Sequence, residues 1–147
     1  MKQKTKKQQD ALNKQRNKEL RSVQLLDPGF SCQGIVGEFI GTYIQSEVFA
    51  KKLQTYYRTD TGKSGKEDLN LGTLKAAIKH FRFSVSEADI SGLFKGGPGI
   101  RGSKSARQLR NGYLHALSVE DKKEIEEKAN TFISKMKLLI GHELVAK

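Results

Sequence analysis

The chain has 147 residues, 36% of them apolar, and 27 Lys and Arg against 16 Asp and Glu give a formal charge of +11. One domain is the expectation at this length, and the charge favours a polyanionic partner, most simply nucleic acid. One cysteine, Cys32, and three scattered histidines exclude an intrachain disulfide and a zinc site. No apolar stretch follows the basic start as a signal peptide requires, and none approaches the ~20 residues of a membrane helix, so a cytoplasmic protein with no membrane contact is expected.

Residues 1–26 read as a charged, glutamine-rich arm, the first 21 carrying a net +6, and residues 30–147 as the domain. Aliphatic residues are sparse in the arm before Leu20, Val23, Leu25 and Leu26. It reads as a frayed terminus or solvated helix, or as a basic strap that touches phosphates. Asp27-Pro28-Gly29 is a turn signal separating the two parts. Ile35, Val36, Phe39, Ile40, Tyr43, Ile44 and then Val48 or Phe49 share one helical face. That helix is expected to reach Tyr56 or Tyr57. Gly34, Gly37 and Gly41 weaken it by ~1 kcal/mol each relative to Ala, which points to another helix or chain approaching closely there.

A polar loop is expected over 61–66. Leu71, Leu74, Ile78 and Phe81 then space as a helix face. Ser86 with Asp89 forms a capping signal for a short helix to about Phe94. Lys95 to Gly102 is glycine-rich. Ser105 with Gln108 opens a helix from about Ala106 to Leu117, and Ser118 with Asp121 opens the last and longest. Ile125, Ala129, Phe132, Met136, Leu139 and Ile140 line one side of it. No segment alternates as a strand does. The chain reads as all-α, a bundle of about four to five helices with a basic N-terminal arm.

Two glycine motifs look like nucleotide loops and fail on context. Gly62-Lys63-Ser64 ends like a P-loop, but position 57 is Tyr57 where the motif needs Gly, and a helix precedes it in place of a strand. Gly97-Pro98-Gly99-Ile100-Arg101-Gly102 fits G-x-G-x-x-G without a preceding strand. It reads as a flexible connection, flanked by Lys95, Arg101 and Lys104, whose exposed N–H groups and cations could meet a phosphate. His80 and His142 read as ordinary surface or boundary residues. Tyr56-Tyr57-Arg58 reads as core or boundary, with base stacking as the alternative.

The chemistry concentrates in residues 105–117. At about 100° per residue, Ala106, Leu109, Tyr113, Ala116 and Leu117 share the core side, while Arg107, Asn111 and His115 step by four along the other. Gly112 sits in mid-helix beside them, as if something must approach the backbone. Arg110-Asn111-Gly112-Tyr113-Leu114-His115 resembles the R-x(4–6)-H motif of HEPN-domain ribonucleases, including the polar residue after the arginine. A chain of this composition meets the bare motif about 0.4 times by chance, and about 0.015 times with Asn following.

The resemblance implies a metal-independent endoribonuclease of toxin or defence type, without a cofactor, that leaves 2′,3′-cyclic phosphate and 5′-hydroxyl ends. It implies a homodimer with RNA as substrate, and a restraining antitoxin or regulatory protein. His115 would be general base or acid, Arg110 would hold the scissile phosphate, and Asn111 would orient one of them. Lys95, Arg101, Lys104 and Arg107 are the further RNA phosphate contacts expected. Arg110 and His115 lie about 140° apart on an ideal helix, so Arg107, better aligned with His115, is the alternative phosphate contact. The family's modifiable tyrosine two places after the histidine is Leu117 here. The rival readings are a non-catalytic helical module that binds RNA or a protein, and a small regulator in which Arg110, Asn111 and His115 form a structural network.

Overall fold

The structure is a computed structural model that describes residues 6–26, 31, 33–65, 68–116 and 118–144, without the side chains of 8 and 24–26. Cys32, the Asp27-Pro28-Gly29 turn, Lys66 and Leu117 lie outside the described residues. Six helices follow one another: α1 (Lys6–Leu26), α2 (Ile35–Thr61), α3 (Leu71–His80), α4 (Glu87–Phe94), α5 (Ala106–Ala116) and α6 (Val119–Ile140). The described residues contain no strand, and none of their helices is long and apolar enough to cross a membrane.

The serine caps form as their spacing predicts. Ser86 Oγ accepts from Asp89 N–H at 3.1 Å, and Ser118 Oγ from Asp121 N–H at 3.2 Å. Ser105 and Gln108 close a reciprocal capping box: Ser105 Oγ accepts from Gln108 N–H at 3.1 Å, and Gln108 Oε1 from Ser105 N–H at 2.8 Å. Each satisfies orphan donors of a first turn, where losing such a cap costs about 1 kcal/mol. Asn70 caps α3 in the same way. Helix α2 runs a turn beyond the expected end, to Gly62, whose φ of 68° closes it in the left-handed conformation.

Helix α2 is the centre of the bundle and packs against α1, α3, α5 and α6. Phe39, Ile40, Tyr43, Phe49, Ala50 and Leu53 are buried along it. Phe39 meets Phe132 of α6 edge to face at 5.9 Å, and Tyr43 meets Phe94 of α4 at 6.2 Å. These contacts tie the long helices to the short ones.

The N-terminal segment is not a detached arm. It is helix α1, which brings the helices among the described residues to six, one more than the expected range, and its Leu12, Leu20 and Val23 enter the common core. The physical reason is the spacing of positions 12, 16, 20 and 23, which makes a single stripe facing α2. Arg16 stands on that stripe and crosses α2 at Gly41, where a Cβ would lie 2.5 Å from Arg16 Nε. At Gly41 the close approach is made by the Arg16 side chain of α1 and not by a neighbouring backbone. Lys6, Lys7, Lys14, Lys18 and Arg21 stay exposed, so α1 presents a basic outer face.

Candidate functional site

Helices α1 and α5 enclose a groove of about 320 Å³ lined by Gln15, Lys18, Glu19, Ser22, Val23, Arg110, Leu114 and His115. Its volume is near the lower bound of ligand sites, ~300 Å³. Arg110 and Leu114 contribute one stripe of α5 and His115 the adjacent one. A groove between two helices draws its lining from more than one stripe, so the angular separation of Arg110 and His115 does not keep them apart.

Arg110 is held from three sides. Its Nη1 donates to Asn111 Oδ1 at 2.9 Å, its Nη2 donates to Glu19 Oε1 of α1, and its guanidinium lies 5.7 Å from the Tyr43 ring centroid. The Arg110 and Glu19 side chains are only 18% and 17% exposed, so this pair is shielded from full solvent screening. Asn111 therefore orients the arginine. Burial, and secondarily the Glu47 carboxylate, push the Tyr43 hydroxyl well above its ordinary range, so the ring under the guanidinium stays neutral.

His115 is exposed in the last turn of α5. The described helix ends at Ala116, the expected end Leu117 lying outside the described residues, and Ala116, expected on the core side, is exposed. Arg107 does not line the groove. Its Nη1 donates to the Phe94 carbonyl at 3.4 Å and helps to close the end of α4.

The other cations expected on phosphate lie elsewhere. Lys104 Nζ sits 2.7 Å from Oδ1 of the buried Asp121. Arg101 makes an exposed pair with Glu120 at 3.3 Å, and Lys95 is exposed at the end of α4. Arg101 and Gly102 line a second groove, about 470 Å³, whose other walls mix Glu120, Asp121, Glu124 and Glu127 with Lys123 and Lys128. Arg110 and His115 line one groove, Asn111 accepts a hydrogen bond from Arg110, and Lys95, Arg101, Lys104 and Arg107 are not in the lining of that groove.

The glycine-rich loop is likewise tied down where a flexible connection was expected. Ser105 Oγ donates to Lys95 O at 2.6 Å, Gln108 Nε2 to Gly96 O at 2.7 Å, and Gly102 N–H to Glu124 Oε1 at 2.9 Å. The Gly102 N–H is therefore already spent on a carboxylate of the same chain. Burial alone would raise the Glu124 carboxyl, but the Gly102 N–H and the Lys128 ammonium outweigh it and hold the group below its ordinary value.

The remaining histidines are structural. His80 Nε2 is 3.2 Å from Oδ2 of the well-buried Asp60. His142 is not a boundary residue: it is 7% exposed, stacks on Phe83 at 4.3 Å, and its Nε2 accepts from Ser84 N–H at 3.1 Å. Its Nδ1 lies 3.0 Å from the Leu138 carbonyl, which assigns the proton to Nδ1.

Sequence reasoning missed the α1 side of the site, namely Gln15, Lys18, Glu19 and Ser22. The available signal was the stripe from Leu12 to Val23, which marks α1 as a packed helix and puts Glu19 at its border. No group of three or more His, Cys, Asp or Glu among the described residues is arranged to hold a metal ion. Comparison with protein-family models, curated proteins and solved structures gives no match to this chain.

Proposed function

We propose that the chain is a HEPN-like, metal-independent endoribonuclease that works in the groove between α1 and α5. The observation that carries this reading is that Arg110, oriented by Asn111, and His115 line one groove whose α1 wall has a basic outer face. RNA brings its own nucleophile, the 2′-hydroxyl. Cleavage then needs a proton shuttle and a fixed cation. An imidazole titrates near neutral pH, and a guanidinium holds phosphate oxygens through paired N–H groups. Arg110 carries five N–H donors; Asn111 and Glu19 engage two and Nε is buried, which leaves one N–H on each terminal nitrogen for a phosphate. The exposed lysines of α1 supply sequence-independent attraction for the RNA backbone.

The test is incubation of the purified chain with RNA in excess chelator. Cleavage that leaves 2′,3′-cyclic phosphate and is lost in both Arg110→Ala and His115→Ala is the expected result. Full activity in His115→Ala overturns the proposal. Sedimentation of the same sample measures the homodimer that the resemblance implies.

A second reading is favoured by one specific observation, the commitment of Arg110 to Glu19 inside its own chain. On that reading the Arg110–Asn111–Glu19 network is structural and the protein binds RNA without cutting it. Binding with a steep salt slope and no cyclic phosphate product would support it.

A further inference from the structure

Cyclisation of RNA requires two proton transfers at two different oxygens. The 2′-hydroxyl must lose a proton as it attacks, and the departing 5′-oxygen must gain one. His115, exposed in the last turn of α5 and lining the groove, is the imidazole that can deliver the second proton. The first transfer still lacks an acceptor. Among the residues lining the groove, Lys18 and Arg110 carry no free lone pair at neutral pH, Gln15 and Ser22 are not bases, and Val23 and Leu114 are apolar. Glu19 is the one carboxylate in that lining.

We infer that Glu19 is the general base of this groove, acting opposite His115 as the general acid, an assignment that rests on the ribonuclease reading above. Its carboxylate is fixed through Oε1 by Arg110 Nη2, which leaves Oε2 to take a proton. The same bond sets the guanidinium that would hold the phosphate beside the group that activates its attacker. Such alignment of base, phosphate and nucleophile removes entropy from the barrier in advance. Glu19 also borders a groove with Glu47 and Lys51 of α2, so these two and Arg110, Lys18 and His115 are the charged and titratable groups that face it.

The step balances. The 2′-hydroxyl proton passes to Glu19 Oε2 while the 2′-oxygen bonds to phosphorus. The bond between phosphorus and the 5′-oxygen breaks, and that oxygen takes the proton of the His115 imidazolium. The products are a 2′,3′-cyclic phosphate and a 5′-hydroxyl. Exchange with water then returns a proton from the Glu19 carboxyl to the His115 imidazole.

The experiment compares the unsubstituted full chain with Glu19→Gln, Glu19→Asp and His115→Ala in excess chelator. Two substrates are used, an oligoribonucleotide and uridine 3′-(4-nitrophenyl phosphate), whose leaving group departs without a proton. Glu19→Gln keeps an oxygen for Arg110 and should lower kcat by ~10²–10⁴-fold. It should also abolish the acidic limb of the kcat/KM profile. The nitrophenyl ester should restore His115→Ala and not Glu19→Gln. If Glu19→Gln does not fold, Glu19→Asp decides, by a reduced rate with the acidic limb kept.

Glu19→Gln as active as the unsubstituted chain, or more active, overturns the inference and makes the ion pair a structural clasp or a brake. Rescue of Glu19→Gln by the ester, with His115→Ala left inactive, overturns it by exchanging the roles. An unsubstituted chain that cleaves neither substrate removes the ribonuclease reading itself, which separates that failure from failure of the base assignment.

Discussion

A methyl group placed on Gly112 would lie 1.7 Å from Oδ2 of Asp121, so the Asp121 carboxylate occupies the space that a side chain at 112 would need. The glycine in the middle of α5 makes room for the first turn of α6. Asp121 is buried, its N–H is held by Ser118, and its carboxylate receives Lys104. Loop, α5 and α6 thus meet at one charged but paired contact.

An alanine in an ordinary mid-helix position is about 1 kcal/mol more stable than glycine. At position 112 the sign should reverse. Gly112→Ala must displace the Asp121 carboxylate and with it the Lys104 pair, and overpacking of this kind costs about 1–3 kcal/mol. Urea unfolding of the two chains checks this. A more stable Gly112→Ala would mean that Asp121 moves aside freely.

How far the bundle can be read from its sequence depends on the range of the interaction. The caps at Ser86, Ser105 and Ser118 span three residues each, and their chemistry is complete in the local sequence. The apolar faces of α2 and α6 are nearly as local. Helix α1 is different: its buried stripe contains Arg16, and a cation at a core-facing position hides the periodicity. The Arg16 side chain fills the space above Gly41 of α2, while its Nε is buried without a hydrogen-bond partner. Glu19 meets Arg110 across 91 positions, and His142 meets Ser84 across 58. Contacts at such distances are set by tertiary packing, so the motif on α5 was legible while its partner on α1 was not.

Glu124 gives a pH dependence whose sign follows from its folded state. The Gly102 N–H and the Lys128 ammonium overcome the burial that would raise it and hold its carboxyl below the ordinary 4.5. A group whose folded value lies below its unfolded one adds stability above the unfolded value, and that stability is lost as the pH falls through the folded value. Glu124→Gln should therefore be the less stable chain at neutral pH, with the gap closing as the pH drops below 4.5. Urea titrations across that range measure it. A gap that is constant with pH would mean that the contribution is not ionic.

Arg82 has φ of 58°, the one described residue other than glycine in the left-handed region. It follows the cap of α3, where Phe83 N–H donates to Ile78 O at 2.9 Å and Arg82 N–H to Lys79 O at 3.2 Å. This is the doubled closure in which glycine is preferred, because a Cβ crowds the neighbouring carbonyl. Arg82→Gly should stabilise the chain by about 1 kcal/mol, raising Tm by roughly 2–4 °C at this size. A fall in Tm would show that the arginine side chain contributes more than its backbone costs.

The basic face of α1 and its buried face can be separated by substitution, and this decides what the N-terminal charge does. Deleting residues 1–26 would strip Leu12, Leu20 and Val23 from the core, so a truncated chain that fails to bind RNA would report lost folding as much as lost charge. Lys14, Lys18 and Arg21 are exposed and can be changed together to Gln while the apolar stripe is kept. If they engage the RNA backbone, the triple variant should melt near the unsubstituted chain yet bind single-stranded RNA with a shallower dependence on salt. Each cation removed takes about 0.7 from the slope of log K against log[salt], so three take about 2. Fluorescence anisotropy of a labelled, uncleavable oligonucleotide across a salt series measures this. An unchanged slope would place the RNA away from α1 and leave the groove without its basic approach.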